Sequence, residues 1–224
     1  MVLDETAELK KGTMTAGVAR QHAGITGQVE NCQTVVFAAY VTARGHTPFD
    51  FRLYLPEQWC QDSKRREQAH VPDEVEFATK PALGTAMITG AADADVPFAW
   101  AAADEVYGRG SKLREACEKQ HKGYVVAVPV NFAVTLPSGR KATVSAVARL
   151  IPASAWETRS CGRGCKGHRD YEWRGRRPPR RGTGCWSRPV CPFPCCRHSS
   201  TGHLFPATLI STGSDTGRSP GAWQ

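Results

Sequence analysis

Val96-Pro-Phe-Ala-Trp-Ala-Ala-Ala-Asp104 is an apolar run that ends on a carboxylate, and Met1-Val-Leu-Asp4 ends the same way. A strand of this kind is buried along its length and meets solvent at its end. A charge is tolerable at that mouth, and a divalent cation offsets what remains of its burial cost. Two such aspartates delivered by separate strands form part of an acidic metal site suited to phosphodiester chemistry. Taken singly, an aspartate more often caps a helix or faces water, so the reading rests on the pair. Glu105, directly after Asp104, is a competing candidate for the second position.

The segments around these runs predict an α/β architecture. Residues 1–4 read as the stub of a strand, followed by a polar, Gly-rich stretch from Lys11 to Gln21. Thr34-Val-Val-Phe-Ala-Ala-Tyr-Val-Thr42 is continuously apolar and rich in β-branched and aromatic residues, the pattern of a strand covered on both faces. Arg44-Gly45 turns the chain, and Phe49, Phe51, Leu53 and Leu55 then recur with a period of two, so the two runs predict an antiparallel hairpin. Cys60 to Glu76 is polar and reads as a surface excursion. Thr79 is a candidate N-cap, with Pro81 in the first turn of a helix. Ser111 to His121 is an amphipathic helix with Leu113, Ala116 and Cys117 inward, and Gly123 to Val130 is another buried strand. Residues 143–158 predict a short helix leading to a loop. The order strand, hairpin, helix, strand, helix, strand predicts a sheet that is partly parallel and partly antiparallel. Lys11-Gly12-Thr13 inverts the order that a phosphate-binding loop requires. His22, His46 and His121 read as exposed or capping histidines.

Charge and cysteine content divide the chain. Of 224 residues with a formal net charge of +8, positions 174–224 hold eight arginines, no lysine and one acid, Asp215. The basic pI of about 9.1 therefore says little about residues 1–173, which are close to neutral. Cys32, Cys60 and Cys117 are isolated and predict reduced thiols, whereas Cys161, Cys165, Cys185, Cys191, Cys195 and Cys196 crowd the end. An odd total of nine, without a secretory signal, excludes a simple disulfide framework. No stretch approaches the roughly 18 apolar residues of a membrane span, so no membrane partner is expected and a cytoplasmic location is.

Several strings in order resemble the DDE transposases of bacterial insertion sequences, the class built on an RNase H-like core. They are Val2-Leu-Asp-Glu-Thr6, Lys10-Lys-Gly-Thr13, Gly17-Val-Ala-Arg-Gln21, Gly27-Gln-Val-Glu-Asn-Cys-Gln33, Val71-Pro-Asp-Glu-Val75, Thr79-Lys-Pro81, Ala103-Asp-Glu-Val-Tyr-Gly108, Lys166-Gly167 and Tyr171-Glu-Trp173. The resemblance covers most of residues 1–173 and implies a partial catalytic domain there, an RNase H-like mixed sheet with flanking helices. It implies a metal-dependent nuclease and strand transferase that uses Mg²⁺ (or Mn²⁺) on DNA, at insertion-sequence ends. Asp4 and Asp104 match the two catalytic, metal-binding aspartates. Lys10 and Lys11 fall where a flexible basic segment would meet DNA phosphate.

The resemblance stops at Trp173. The family pattern requires a third carboxylate, a glutamate on a late helix, and residues 174–224 contain none. Seven of the 15 prolines fall there, among arginines and cysteines. This composition is what a wrong reading frame of a GC-rich gene encodes, so a frameshift after Trp173 is expected, with 174–224 as a disordered tail. Met1 lies three residues ahead of Asp4, where the family carries a DNA-binding region, and the chain therefore reads as truncated at both ends, with an incomplete sheet and no cleavage activity alone. The alternative is a zinc-stabilised nucleic-acid-binding module, with ligands from Cys161, Cys165 and His168 and from Cys191 and Cys195 with His198 or His203. Non-catalytic DNA binding through the arginine-rich tail is a third reading.

Overall fold

Strand β1 (Val2–Leu9) does not stop at Asp4 but continues for five more residues, paired antiparallel with β3 (Gln28–Thr42) as far as Leu9 opposite Cys32. The stub expected at residues 1–4 is thus a full strand. The polar residues Thr6 and Glu8 had disguised it, because they alternate onto the exposed side. This computed structural model describes residues 1–136, 138–164, 167–174, 195–198 and 207–211.

Strand β3 organises the antiparallel half of the sheet. β1 pairs with it on one side, and β2 (Ala19–Ala23) and β4 (Gly45–Leu53) also pair antiparallel with β3. Past α1 (Glu57–Cys60), α2 (Ser63–Gln68) and α3 (Lys80–Asp93), β5 (Trp100–Ala103) joins β1 in parallel. After α4 (Glu105–Gly108) and α5 (Lys112–Lys119), β6 (Gly123–Val128) joins β5 in parallel. The expected mixed sheet with flanking helices is the observed one. A small hairpin, β7 (Ala133–Thr135) and β8 (Lys141–Thr143), precedes α6 (Val144–Arg149), and β9 (Glu157–Gly164) pairs with β10 (Gly167–Arg174). Beyond residue 174, most of the segment expected to be disordered lies outside the described residues. The two pieces described there are β11 (Cys195–His198), paired with β10, and β12 (Ala207–Ser211), paired antiparallel with β6.

One face of the sheet makes the core. Leu3, Val36, Ala38, Val126 and Val128 meet Met87, Ile88 and Ala91 of α3, Leu113 and Cys117 of α5, and Tyr107 of α4. On α3 the buried residues Gly84, Met87, Ile88 and Ala91 follow the i, i+3, i+4, i+7 spacing of one helical stripe. Thr79 caps this helix as expected, its hydroxyl accepting the Ala82 N–H at 3.3 Å, with Pro81 in the first turn. Each large apolar side chain buried here contributes about 1.5–3 kcal/mol. Burial pushes the Cys117 thiol up to about 11, which keeps it neutral and unreactive.

The opposite face is thinly covered among the described residues. Along β3, Cys32, Thr34, Val36 and Ala38 are buried, whereas Val35, Phe37 and Ala39 alternate with them and are only half-buried. Phe51, whose ring lies 6.2 Å from that of Phe37, is 65% exposed. The expectation of cover on both faces of this run therefore fails: continuous apolarity identified the strand but not how many layers pack on it. The excursion from Cys60 to Glu76 is polar outside, as expected. Its leading edge carries Trp59, which is fully buried, donates to the Val18 carbonyl at 2.7 Å, and stacks under Arg65 at 3.7 Å. No helix among the described residues is long and apolar enough to cross a membrane.

Helix α4 sits directly on β6 because Gly108 has no side chain: a Cβ there would lie 1.8 Å from the Ala127 carbonyl oxygen. Gly108→Ala is expected to cost about 1–3 kcal/mol through overpacking. Gly90, exposed on α3 with nothing near its missing Cβ, should instead gain roughly 0.5–1 kcal/mol as alanine. Urea unfolding of the two variants checks both signs.

Candidate metal centre

Parallel pairing of β1 with β5 ends at Leu3 opposite Ala103. The next residue on each strand is an aspartate, so Asp4 and Asp104 emerge side by side where β5 gives way to α4. Asp104 has extended backbone and caps α4, its Oδ1 accepting the Val106 N–H at 2.9 Å. Asp4 Oδ1 accepts the following N–H, that of Glu5, at 2.8 Å. Each aspartate therefore spends one oxygen on the backbone, and both side chains are exposed. Glu105, the competing candidate, pairs instead with Arg109 along α4.

A third carboxylate, not anticipated from the sequence, stands with them. Glu5 offers an oxygen that lies with those of Asp4 and Asp104 inside a 4.8 Å cluster. Consecutive strand residues point to opposite faces, and Glu5 shares the inward face with Leu3. There Lys80 donates to its Oε1 at 3.1 Å and Tyr107 donates to its Oε2 at 2.8 Å. Lys80 heads α3 and Tyr107 lies in α4, so one side chain gathers three elements.

The electrostatics follow from this crowding. Although Asp104 is open to solvent, partial desolvation by the surrounding protein, and then the neighbouring Glu5 charge, raise its carboxyl above the ordinary value; the Val106 and Tyr107 N–H groups oppose the shift and Asp4 adds to it. The Tyr107 hydroxyl is held protonated, chiefly by burial and then by the Glu5 carboxylate that it donates to. A Mg²⁺–oxygen bond is about 2.0–2.1 Å, so oxygens on a common ion lie at most about 4.2 Å apart. The observed cluster needs only a small side-chain adjustment to meet that limit. The donor set, hard carboxylate oxygens without thiol or imidazole, suits Mg²⁺ or Mn²⁺.

Lys10 and Lys11 are not brought to this centre. They follow β1 at its other end, six and seven residues beyond Asp4, which is roughly 20 Å at about 3.4 Å per residue. Nor is their segment loose. Asn31 Nδ2 donates to the carbonyls of Lys10 and Gly12 at 2.7 and 2.9 Å, Gln33 Nε2 to Ala16 at 2.8 Å, and Arg65 to Thr13 at 2.6 Å. The expected flexible basic segment is a tied-down loop, with Lys10 paired to Glu8 at 2.9 Å and Lys11 exposed. His22, His46 and His121 are exposed, as expected, and Cys32, Cys60 and Cys117 are free thiols. The side chains of Cys161, Cys165, His168, Cys191, Cys195, His198 and His203, the ligands of the zinc alternative, lie outside the described residues.

Comparison with known proteins agrees with this geometry. The family model of the DDE superfamily endonucleases matches residues 1–179. The chain belongs to that family. It is 28% identical over 138 residues to a protein of Microchaete diplosiphon named as a probable transposase for insertion sequence element IS701. That alignment covers 61% of this chain and 33% of the relative, so the chain spans about a third of that protein's length. No solved structure matches significantly.

Because the folded state raises the Asp104 pKa, its contribution to stability is greatest at low pH and is lost as pH rises through the folded value. With divalent ions chelated, Asp104→Asn keeps the cap and removes the repulsion, so its melting temperature at neutral pH should exceed that of the wild type. The gap should close in acid. Melting curves across that range check the sign.

Proposed function

We propose that Asp4 and Asp104 hold a divalent ion, Mg²⁺ or Mn²⁺, at the phosphodiester site of a DNA transposase whose substrates are insertion-sequence ends. The observation that supports this most directly is the register of β1 and β5, which sets two exposed carboxylates next to each other at one sheet mouth. When bound, the ion supplies charge stabilisation at the phosphate and a lowered pKa for the attacking water or 3′-hydroxyl. The chain's own contribution is positional. The backbone N–H groups of Glu5 and Val106 each hold one aspartate oxygen and leave the other oxygen for coordination. Lys11 lies roughly 20 Å away, by the strand rise used above, and would contact backbone phosphate remote from the reacting one.

The same reading places a limit on activity. Asp4 and Asp104 suffice to hold one ion, whereas the two-ion arrangement that compensates both attacking and leaving oxygens calls for a further carboxylate. Residues 174–224 contain no glutamate. We therefore propose that this chain alone binds metal but does not cut DNA, since losing even one preorganised electrostatic element typically costs about 10²–10³ in rate.

Titration with Mn²⁺, followed by the paramagnetic resonance of the free ion, should show weak binding that Asp4→Ala lowers by at least about tenfold. Binding unchanged in Asp4→Ala overturns the site. Terminal-repeat DNA incubated with the chain and Mg²⁺ or Mn²⁺ should remain intact; specific nicks that disappear in Asp104→Ala would show the chain to be competent. Lys11→Ala should weaken duplex binding alike for all sequences and reduce the salt slope by about one.

A further inference from the structure

We infer that Glu5 is a positioning residue rather than a third metal ligand: clamped between Lys80 and Tyr107, it fixes how far Asp4 stands from Asp104. The inference rests on the metal reading above and concerns how the two aspartates are held.

The three carboxylates of the cluster are not equivalent. Asp4 and Asp104 each accept from the backbone, Asp4 from the Glu5 N–H and Asp104 from the Val106 N–H, and both are open to solvent. Glu5 has a side-chain donor on each oxygen, from groups that are themselves withdrawn from water. Its own side chain is 19% exposed, that of Lys80 is 18% exposed, and Tyr107 is fully buried. Each Glu5 oxygen keeps a lone pair beyond the one its donor uses, but the two donors fix the carboxylate's orientation, and the Lys80 ammonium on one of them repels a further cation.

What the clamp joins is as telling as its chemistry. Glu5 follows Asp4 on β1, and Tyr107 comes three residues after Asp104. The Tyr107–Glu5 hydrogen bond is therefore a side-chain link between β1 and α4 just past the point where the β1–β5 ladder stops, at Leu3 and Ala103. The β1–β3 ladder holds Asp4 opposite Phe37, while the β1–β5 ladder, ending at Leu3 and Ala103, leaves the spacing of the two aspartates to side-chain contacts. Lys80 adds a third anchor from α3 and supplies one positive charge against three negative ones. The centre then keeps a net charge of about −2, matched to a divalent ion. Gly84, one turn further along α3, lets that helix lie close: a Cβ there would come within 2.9 Å of the Tyr107 ring and 3.0 Å of Leu3. The packing that fixes the ring thus fixes the hydroxyl that holds Glu5.

Mn²⁺ affinity, measured on the full chain where melting curves show every variant folded, separates the roles, with Asp4→Ala as the reference for a lost ligand. The paired exchange Glu5→Gln with Lys80→Gln keeps the net charge and an amide able to meet Tyr107. It should retain affinity to within about threefold, whereas a loss as large as that in Asp4→Ala would make Glu5 a ligand and overturn the inference. Tyr107→Phe removes only the link between β1 and α4. It should weaken Mn²⁺ about tenfold, the low end of the effect of deleting an outer partner of a ligand set. An unchanged affinity would reduce Tyr107 to a structural residue, and a tighter one would mean that the released carboxylate joins the ion; either result overturns the inference. Should Mn²⁺ binding survive Asp4→Ala, it is the metal site itself that fails, a result distinct from these.

Discussion

Two negative charges must sit next to each other at the end of a short parallel ladder, and much of the surrounding structure answers to that requirement. The ladder between β1 and β5 closes with Leu3 and Ala103, and the following pair of residues is Asp4 and Asp104. Repulsion between them is opposed locally by N–H groups at the tips of their side chains and, behind them, by the Lys80 ammonium on Glu5. The helices that supply these partners are held by a core that, among the described residues, is built on one face of the sheet. A large apolar face on α3 and α5 stabilises the fold enough to tolerate an acidic cluster that favours unfolding when no cation is near.

The outlines of this arrangement were legible in the sequence, for reasons that can be located. A period of two in Phe49, Phe51 and Leu53, a cap at Thr79 followed by Pro81, and an amphipathic turn at Leu113 and Cys117 are local signals, and each element formed where its signal stood. The ends of the apolar runs place Asp4 and Asp104 on separate strands; that these strands adjoin is seen in the β1–β5 pairing. What local patterns could not convey was the number of layers over β3, since an apolar run shows that a strand is favoured but not what covers it. Nor could they show that β1 extends to Leu9, because its second half alternates polar residues onto an exposed face. Trp59 was hidden for the complementary reason: a single large side chain inside a polar stretch has no periodicity to announce it.

Glu5, Lys80 and Tyr107 escaped notice although all three fall within strings that resemble the family. Their roles arise from contacts across 75 and 102 residues of chain, and no local pattern encodes such contacts. The same holds for the loop after β1. Asn31 and Gln33 lie on β3, and Arg65 lies on α2, yet their side chains together bind four carbonyls between Lys10 and Ala16. Read linearly, that loop is a polar, Gly-containing stretch with the composition of a mobile segment. In three dimensions its backbone acceptors are satisfied by amide and guanidinium donors, and so it has a defined shape.

The division of labour at the centre follows from strand geometry. Two acidic neighbours on a strand start out toward opposite sides, so Asp4 and Glu5 meet different partners although their carboxylates come within 4.8 Å of each other. The outward one is open to solvent and to an ion; the inward one meets helices and must be neutralised there. A partly buried carboxylate–ammonium pair adds little net stability, because desolvation offsets most of the attraction, but breaking it by removing one partner is costly. Such a pair does more to enforce one arrangement than to strengthen the fold. At this centre, the arrangement enforced is the spacing of two ligands, a quantity that an ion with bonds of about 2.0–2.1 Å reads to within tenths of an ångström.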